Sequence, residues 1–221
     1  VPAELTAAVR DLARARGVTL NTVLQAAWGT VLGHLLDSRD VVFGTAVSGR
    51  PHELDGVQDM VGLFVNTVPV RVRLRPAEST AGLLARLRDE QAALLGHSHV
   101  GLAEIQRAAG AGELFDTLMA VENYPVEGTD PAADVPGLRA RVLGSTDATH
   151  YPLSLAVVPA RPGAASPRLR LTLGYRPDTV AEARAELVAD SLTAVLEAMA
   201  ASPHTPLARL PVLASHHIPA P

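Results

Sequence analysis

Asn66 and Thr67 place a carboxamide and a hydroxyl inside an otherwise apolar run, Val61-Gly62-Leu63-Phe64-Val65-Asn66-Thr67-Val68-Pro69-Val70-Arg71-Val72. Such groups can hold a polar partner by hydrogen bonds, or merely satisfy a bulge or turn of their own chain. The residues alone leave both uses open. Ser48 has the same double character in a second stretch, Phe43-Gly44-Thr45-Ala46-Val47-Ser48-Gly49-Arg50-Pro51. Beside Gly49 it is by default a turn residue, and Arg50 reads as a fixed cation bracing the loop. His97 and His99 fall at the expected end of a helix, where imidazole meets the last carbonyls. No neighbour supplies a third ligand at useful spacing, so no metal site is expected.

Other chemistries lack their residues. No cysteine is present, which excludes disulfides, thiolate catalysis and thiolate-bound metals. There is no Gly-rich phosphate loop, GxSxG elbow or HExxH pair to support NTP hydrolysis, serine hydrolase chemistry or zinc proteolysis. The net charge of -4 gives no field that would gather nucleic acid or an anionic membrane. No run approaches a membrane span, so a soluble chain is expected, and the lack of cysteine fits a cytoplasmic protein. With 221 residues, 48% of them hydrophobic, the chain can bury a real core.

The elements that must position these side chains follow from periodicity. Leu5, Val9 and Leu12 share one side of a helix from Ala3 to Arg16, which Gly17 stops. Thr19 or Asn21 can cap the next helix, where Leu20, Val23, Leu24, Ala27, Trp28, Val31, Leu32 and Leu35 make a buried face. Val41 to Val47 reads as a central strand. A second strand is expected from Gly62 to Leu74, with Val70, Val72 and Leu74 on one face and Arg71, Arg73 and Arg75 on the other. Pro69 cannot donate to a ladder, so that strand must be an edge, a crossover or bulged there.

Ser79 or Thr80 can cap a helix to about Leu95, with Leu83, Leu84, Leu87, Leu94 and Leu95 facing inward, and a short helix spans Leu102 to Ala109. Further strands are expected at Phe115–Asn123, Leu138–Leu143, Leu153–Val158 and Leu169–Tyr175. A Gly/Pro/Asp loop runs to Pro136, and Pro159 to Pro167 forms a hairpin loop. Thr179-Val180-Ala181-Glu182 reads as a capping box opening a final helix to about Met199. The expected organisation is one lobe over residues 1–202 and a proline-rich linker over 203–221 toward a following domain. The fold class is α/β, in the layered α+β sense, with helices packed on a mixed sheet.

Several stretches, in order, resemble one family over about Leu5 to Ala214: the condensation domains of nonribosomal peptide synthetases, and specifically their C-terminal lobe, which has a fold similar to chloramphenicol acetyltransferase. Gly17 through Trp28 resembles that lobe's opening helix. Ser48-Gly49-Arg50-Pro51 and Val61 through Thr67 match its two central motifs. Leu114-Phe115-Asp116-Thr117 through Glu122-Asn123-Tyr124-Pro125 matches a later one, and His97-Ser98-His99-Val100-Gly101 is a loose form of the short HQD-type motif. The catalytic HHxxxDG motif of the family is absent from these residues, and His216-His217 is followed by Ile-Pro-Ala-Pro rather than by the aspartate and glycine.

The resemblance implies a fragment of an amide-forming acyltransferase, inactive without its N-terminal lobe. It implies a cleft in which Ser48, Asn66 and Thr67 approach the substrate or pantetheine arm, supported by Gly49, Arg50, Gly62, Phe64 and Pro69, with Pro69 marking a segment that crosses to the other lobe. No catalytic residue would lie in this half. No cofactor would be bound directly, since phosphopantetheine arrives on donor and acceptor peptidyl carrier proteins. The N-terminal lobe and an adjacent adenylation domain complete the expected partners. The alternatives are a non-catalytic carrier-protein recruitment or interaction module on the same fold, or part of an epimerisation or cyclisation domain.

Overall fold

A computed structural model describes residues 1–48, 50, 54–57, 59–110, 112–122, 149–159 and 168–213. The expected strand at Leu138–Leu143, the Asn123-Tyr124-Pro125 close of the later motif, residues 160–167 of the hairpin loop, Gly49, Pro51 and His216-His217 lie outside the described residues.

The chain opens with α1 (Ala3–Ala15) and α2 (Leu20–Leu35). Gly17 separates them at φ 60°, in the left-handed region where a side chain would be strained. The hydroxyl of Thr19 accepts from the Thr22 N–H at 3.1 Å, so Thr19 rather than Asn21 is the cap. α2 is buried nearly all round. Trp28 is fully enclosed, and the helix touches α1 and α5 (Glu182–Ala201) as well as the sheet. Gly29 permits that approach: a Cβ there would stand 2.6 Å from a Val72 methyl.

Five strands follow, in the order β2-β1-β3-β4-β5: β1 (Asp40–Ser48), β2 (Val65–Arg73), β3 (Thr117–Val121), β4 (Leu153–Val158) and β5 (Arg170–Tyr175). The β1/β2 and β4/β5 pairs are antiparallel, whereas β3 runs parallel to both β1 and β4. The sheet is therefore mixed. One face carries Val41, Phe43, Val70, Val72, Met119, Leu155 and Val157, all buried in a single core with residues of α1, α2, α5 and α3 (Thr80–Leu94). The helices thus form one layer against one face.

β2 is an edge strand, paired with β1 over all nine residues without a bulge. The Leu74 N–H donates to the Arg39 carbonyl at 2.7 Å. Hydrogen-bonded pairs alternate along an antiparallel ladder, so the backbone groups of Thr67, Pro69, Arg71 and Arg73 point away from β1. Pro69 therefore sits where a missing N–H breaks no ladder bond. The crossing expected at Pro69 does not occur, because the strand stays in its own sheet on both sides of it. Two further outward groups are occupied: the Thr67 N–H donates to the Asn66 side-chain oxygen at 2.9 Å, and Arg86 donates to the Arg73 carbonyl at 2.6 Å. An edge so furnished offers little for another strand to pair with.

Several expectations change. β2 begins at Val65 rather than Gly62, because residues 54–57 and 59–64 form a loop held by Arg50. β3 is shorter than Phe115–Asn123, since Phe115 leaves the ladder to lie over Gly44. Leu83, Leu84 and Leu87 of α3 are buried, but Leu94 and Leu95 are 52% and 73% exposed. The apolar period of α3 runs on past the point where the helix has a partner. The short helix α4 (Leu102–Ala109) forms as expected. α5 (Glu182–Ala201) has no capping box; Thr179 spends its hydroxyl on the Arg176 carbonyl, 3.1 Å away, and the capping position falls to Ala181.

Residues 203–213 pack against the lobe. The Ala81 N–H donates to the Pro203 carbonyl, the Leu207 N–H to the Glu78 carbonyl, and Leu207, Leu210 and Val212 are buried. Among the described residues, no helix is long and apolar enough to cross a membrane.

Candidate functional site

The residues expected around one cleft cluster at the far end of the β1–β2 ladder, but they do not share a face. Ser48 pairs with Val65, Val47 with Asn66, and Ala46 with Thr67. Directly opposed residues project to the same side of a sheet and neighbours alternate. Ser48, Val65 and Thr67 therefore stand on the face away from the helices, while Asn66 stands on the helix-bearing face. A single site lined by all three does not form within this lobe.

Asn66 is bonded to its own chain. Its amide nitrogen donates to the carbonyls of Ser98 and Val100, each at 2.8 Å, and its oxygen accepts from Thr67. It ties β2 to the segment after α3, where the loose HQD-type stretch lies. Both donors of the carboxamide are thereby committed to the chain itself, which leaves a substrate only the second lone pair of its oxygen. Its route to a cleft is through the position of residues 98–100.

Ser48 is exposed, and its hydroxyl accepts from the Arg50 N–H at 3.4 Å. Arg50 donates to the carbonyls of Val57 and Met60 and lies 4.0 Å above the centre of the Phe64 ring. The guanidinium thereby braces the loop between β1 and β2 by hydrogen bonds and a cation–π contact. Gly62 faces the same ring; a Cβ there would stand 3.2 Å from it. Beyond this brace Val61 and Leu63 are fully exposed and Val65 is 62% exposed, leaving an apolar loop on the surface.

The face carrying Ser48 and Thr67 has small residues along the middle of the sheet: Gly44 and Ala46 on β1, Ala120 on β3, Ser154 and Ala156 on β4. Of these only Gly44 is buried, beneath the ring of Phe115. Phe115 stacks in turn near Tyr151 at 6.0 Å, and His150 lies 4.0 Å from the Tyr151 ring. Burial, with Glu113 nearby, pushes the Tyr151 phenol above its ordinary value.

Sequence reasoning missed a polar chain on the other face. The Thr22 hydroxyl donates to Gln91, Gln91 to Gln25, and Gln25 at 3.5 Å to Thr45, whose hydroxyl donates to the Met119 carbonyl at 3.1 Å. It links α3, α2, β1 and β3. Gln25 is only 2% exposed, so its amide needs those partners. The sole sequence signal was a glutamine inside a helix apolar on most sides.

The arginines of β2 are exposed and also paired. Arg71 forms two bonds to Asp40 at 2.8 and 2.6 Å, and Arg73 meets Glu90 of α3 at 2.7 Å. Hydrogen bonding from Arg71 holds the Asp40 carboxyl below its ordinary value. Among the described residues no cluster of three His, Asp or Glu side chains could hold a metal.

A sheet with one helical layer, the two central motif stretches at one end of its first hairpin and a third stretch tied to them by Asn66 define a condensation-domain lobe. The model of the condensation domain family matches residues 1–217, and the chain belongs to that family. Among curated relatives it is 34% identical to a linear gramicidin synthase of Brevibacillus parabrevis over 93% of this chain and 3% of that one. It is 40% identical to vanchrobactin synthetase VabF of Vibrio anguillarum over 66% of this chain and 5% of that one. The chain thus spans a small fraction of these relatives.

Solved structures share the fold at lower identity. The first condensation domain of the CDA synthetase matches with a TM-score of 0.74 and 20% identity, over 96% of this chain and 46% of that one. The X-domain in complex with OxyB from teicoplanin biosynthesis matches with a TM-score of 0.81 and 21% identity, over 97% and 47%.

Proposed function

We propose that this chain is the C-terminal half of a condensation domain and builds one wall of the cleft where a carrier-bound amine attacks a carrier-bound thioester. The observation that carries this reading is one of coverage: 96% of this chain aligns with 46% of a solved condensation domain, and HHxxxDG does not occur in the 221 residues. In the reaction the amine nitrogen bonds to the thioester carbon, the carbon–sulfur bond breaks, and the proton leaves the nitrogen as the thiol is released. A histidine of the N-terminal half positions or deprotonates the amine. This half contributes Ser48 and Thr67 from its open face, where short hydroxyls can orient a carbonyl or an amide.

Arg50, Phe64 and Gly62 fix the loop beside them, and Pro69 keeps the neighbouring edge closed. Asn66 acts through residues 98–100. The partners are the N-terminal lobe, donor and acceptor peptidyl carrier proteins that bring phosphopantetheine, and an adenylation domain, in the cytoplasm. The experiment supplies aminoacyl carrier thioesters to the 221-residue chain, alone and joined to an N-terminal half that contains HHxxxDG, and follows dipeptidyl carrier by mass spectrometry. The joined protein forms the amide and this chain alone does not. Amide formation by this chain alone overturns the reading.

A second reading is a recruitment module without catalysis. The specific observation in its favour is the fold shared with a teicoplanin X-domain solved in complex with OxyB. A joined protein that binds a partner yet makes no amide supports it.

A further inference from the structure

The loop between β1 and β2 contains a tight turn at residues 54–57, closed by the Val57 N–H donating to the Leu54 carbonyl at 3.2 Å. Asp55 and Gly56 hold its two central positions, both exposed, and Gly56 takes φ 72°. They form the one Asp–Gly pair in the sequence. Every other aspartate precedes a residue whose Cβ crowds the next backbone nitrogen. Hydrogen bonds withhold some of those nitrogens further: Ser38 donates to the Gly33 carbonyl at 2.8 Å and Thr179 to the Arg176 carbonyl at 3.0 Å. At Asp55 neither restraint operates. Among the described residues the Gly56 N–H has no acceptor and the Asp55 carboxyl no cation.

A carboxyl beside an unhindered amide nitrogen of its own chain is an intramolecular electrophile, because proximity replaces a second molecule. Rotation about the Asp55 backbone brings its side-chain carbon to the Gly56 nitrogen, and opens only the hydrogen bond that closes this turn. We infer that Asp55 is a site of spontaneous isomerisation to isoaspartate, and that the product undoes the brace supplied by Arg50. The Gly56 nitrogen bonds to the Asp55 side-chain carboxyl carbon, and the carboxyl hydroxyl leaves with the amide proton as water, closing a cyclic imide. Water then adds to the imide carbonyl that belonged to the main chain, and the bond from that carbon to nitrogen breaks. The chain now runs through the side-chain carbons and is longer by a carbon, with a carboxylate on the branch. Mass and redox state are unchanged. Val57 is 3% exposed, and its carbonyl accepts from Arg50. The added carbon lies between Leu54 and Val57, so it breaks the turn bond and shifts the Val57 carbonyl from Arg50. The loop carrying Val61 and Leu63 then loosens.

The full 221-residue chain is held for several weeks at about pH 6, where a fraction of the carboxyl is protonated. Samples are then unfolded and digested with endoproteinase Asp-N, which cuts before aspartate but not before isoaspartate. Cutting before Asp55 is lost at least about tenfold faster than cutting before Asp37 or Asp59, a barrier lower by about 1.4 kcal/mol. Asp55→Glu keeps the charge and would need a larger ring to react, so it serves as the folded control. Without unfolding, chymotrypsin cuts the aged parent after Phe64 faster than the fresh parent, whereas aged Asp55→Glu is cut no faster than when fresh. Equal loss of cutting at Asp55 and Asp59 overturns the assignment of the site. An isomerised chain whose loop is cut at the fresh rate overturns the loss of the brace. Neither readout involves amide synthesis.

Discussion

Asn66 lies on the opposite face of the β1–β2 ladder from Ser48, although the two residues stand within one step of each other across it. Its amide nitrogen points instead to the carbonyls of Ser98 and Val100. Asn66→Asp separates a clamp from a substrate contact. The carboxylate keeps the acceptor for the Thr67 N–H but turns an oxygen toward two carbonyl oxygens, so both long-range bonds are lost and replaced by repulsion. Each bond contributes about 1 kcal/mol, and an unpaired partner adds to the loss. The expected cost is about 2–4 kcal/mol in urea denaturation, with faster amide exchange across 97–101. Unchanged stability would return Asn66 to the cleft.

Leu207 tests whether residues after Pro203 belong to the lobe. It is 4% exposed, its N–H donates to the Glu78 carbonyl, and it lies in the short turn Leu207–Arg209 that packs under the start of α3. Leu207→Ala is expected to cost about 2–4 kcal/mol, the range for an enclosed leucine whose site partly collapses. The denaturation midpoint measures it. A free linker would give no change, because an exposed leucine loses nothing when shortened.

What the sequence made legible was local. Val70 and Val72 declared their face because a strand alternates, and Thr19 and Ser79 declared helix starts because a hydroxyl can take the place of a turn's missing acceptor. The relation of Ser48 to Asn66 was hidden, because a face depends on register and register is set across a sixteen-residue separation between Ser48 and Val65. The bonds of Asn66 span 32 and 34 positions and leave no periodic trace. Leu94 and Leu95 misled for a related reason: periodicity reports an apolar side, not whether anything packs against it. Gln25 gave no warning, since its partners come from a different helix and a strand.

Asp40 predicts the acid limb of stability. Hydrogen bonding from Arg71 lowers its folded-state pKa below the ordinary 3.8. A depressed carboxyl contributes stability above its unfolded pKa and loses it as pH falls through the folded one. Asp40→Asn should therefore be less stable than the parent at neutral pH, by the small margin of an exposed pair. The two stability curves should converge below pH 3.8, once both states are protonated. High salt should narrow the neutral gap. A gap that persists unchanged into acid would assign the effect to packing rather than charge.

Gly44 governs the open face. A Cβ at this position would run into the ring of Phe115, which covers the centre of the sheet where β1 meets β3. Gly44→Ala must displace that ring, and overpacking of this kind costs about 1–3 kcal/mol. Phe115→Leu removes the obstacle, so the double variant should recover most of the loss in a double-mutant cycle. The two substitutions would add without coupling if the ring moved freely. Coupling of the stated sign shows that Phe115 is held over Gly44 and sets how far a second surface can approach the small residues along that face.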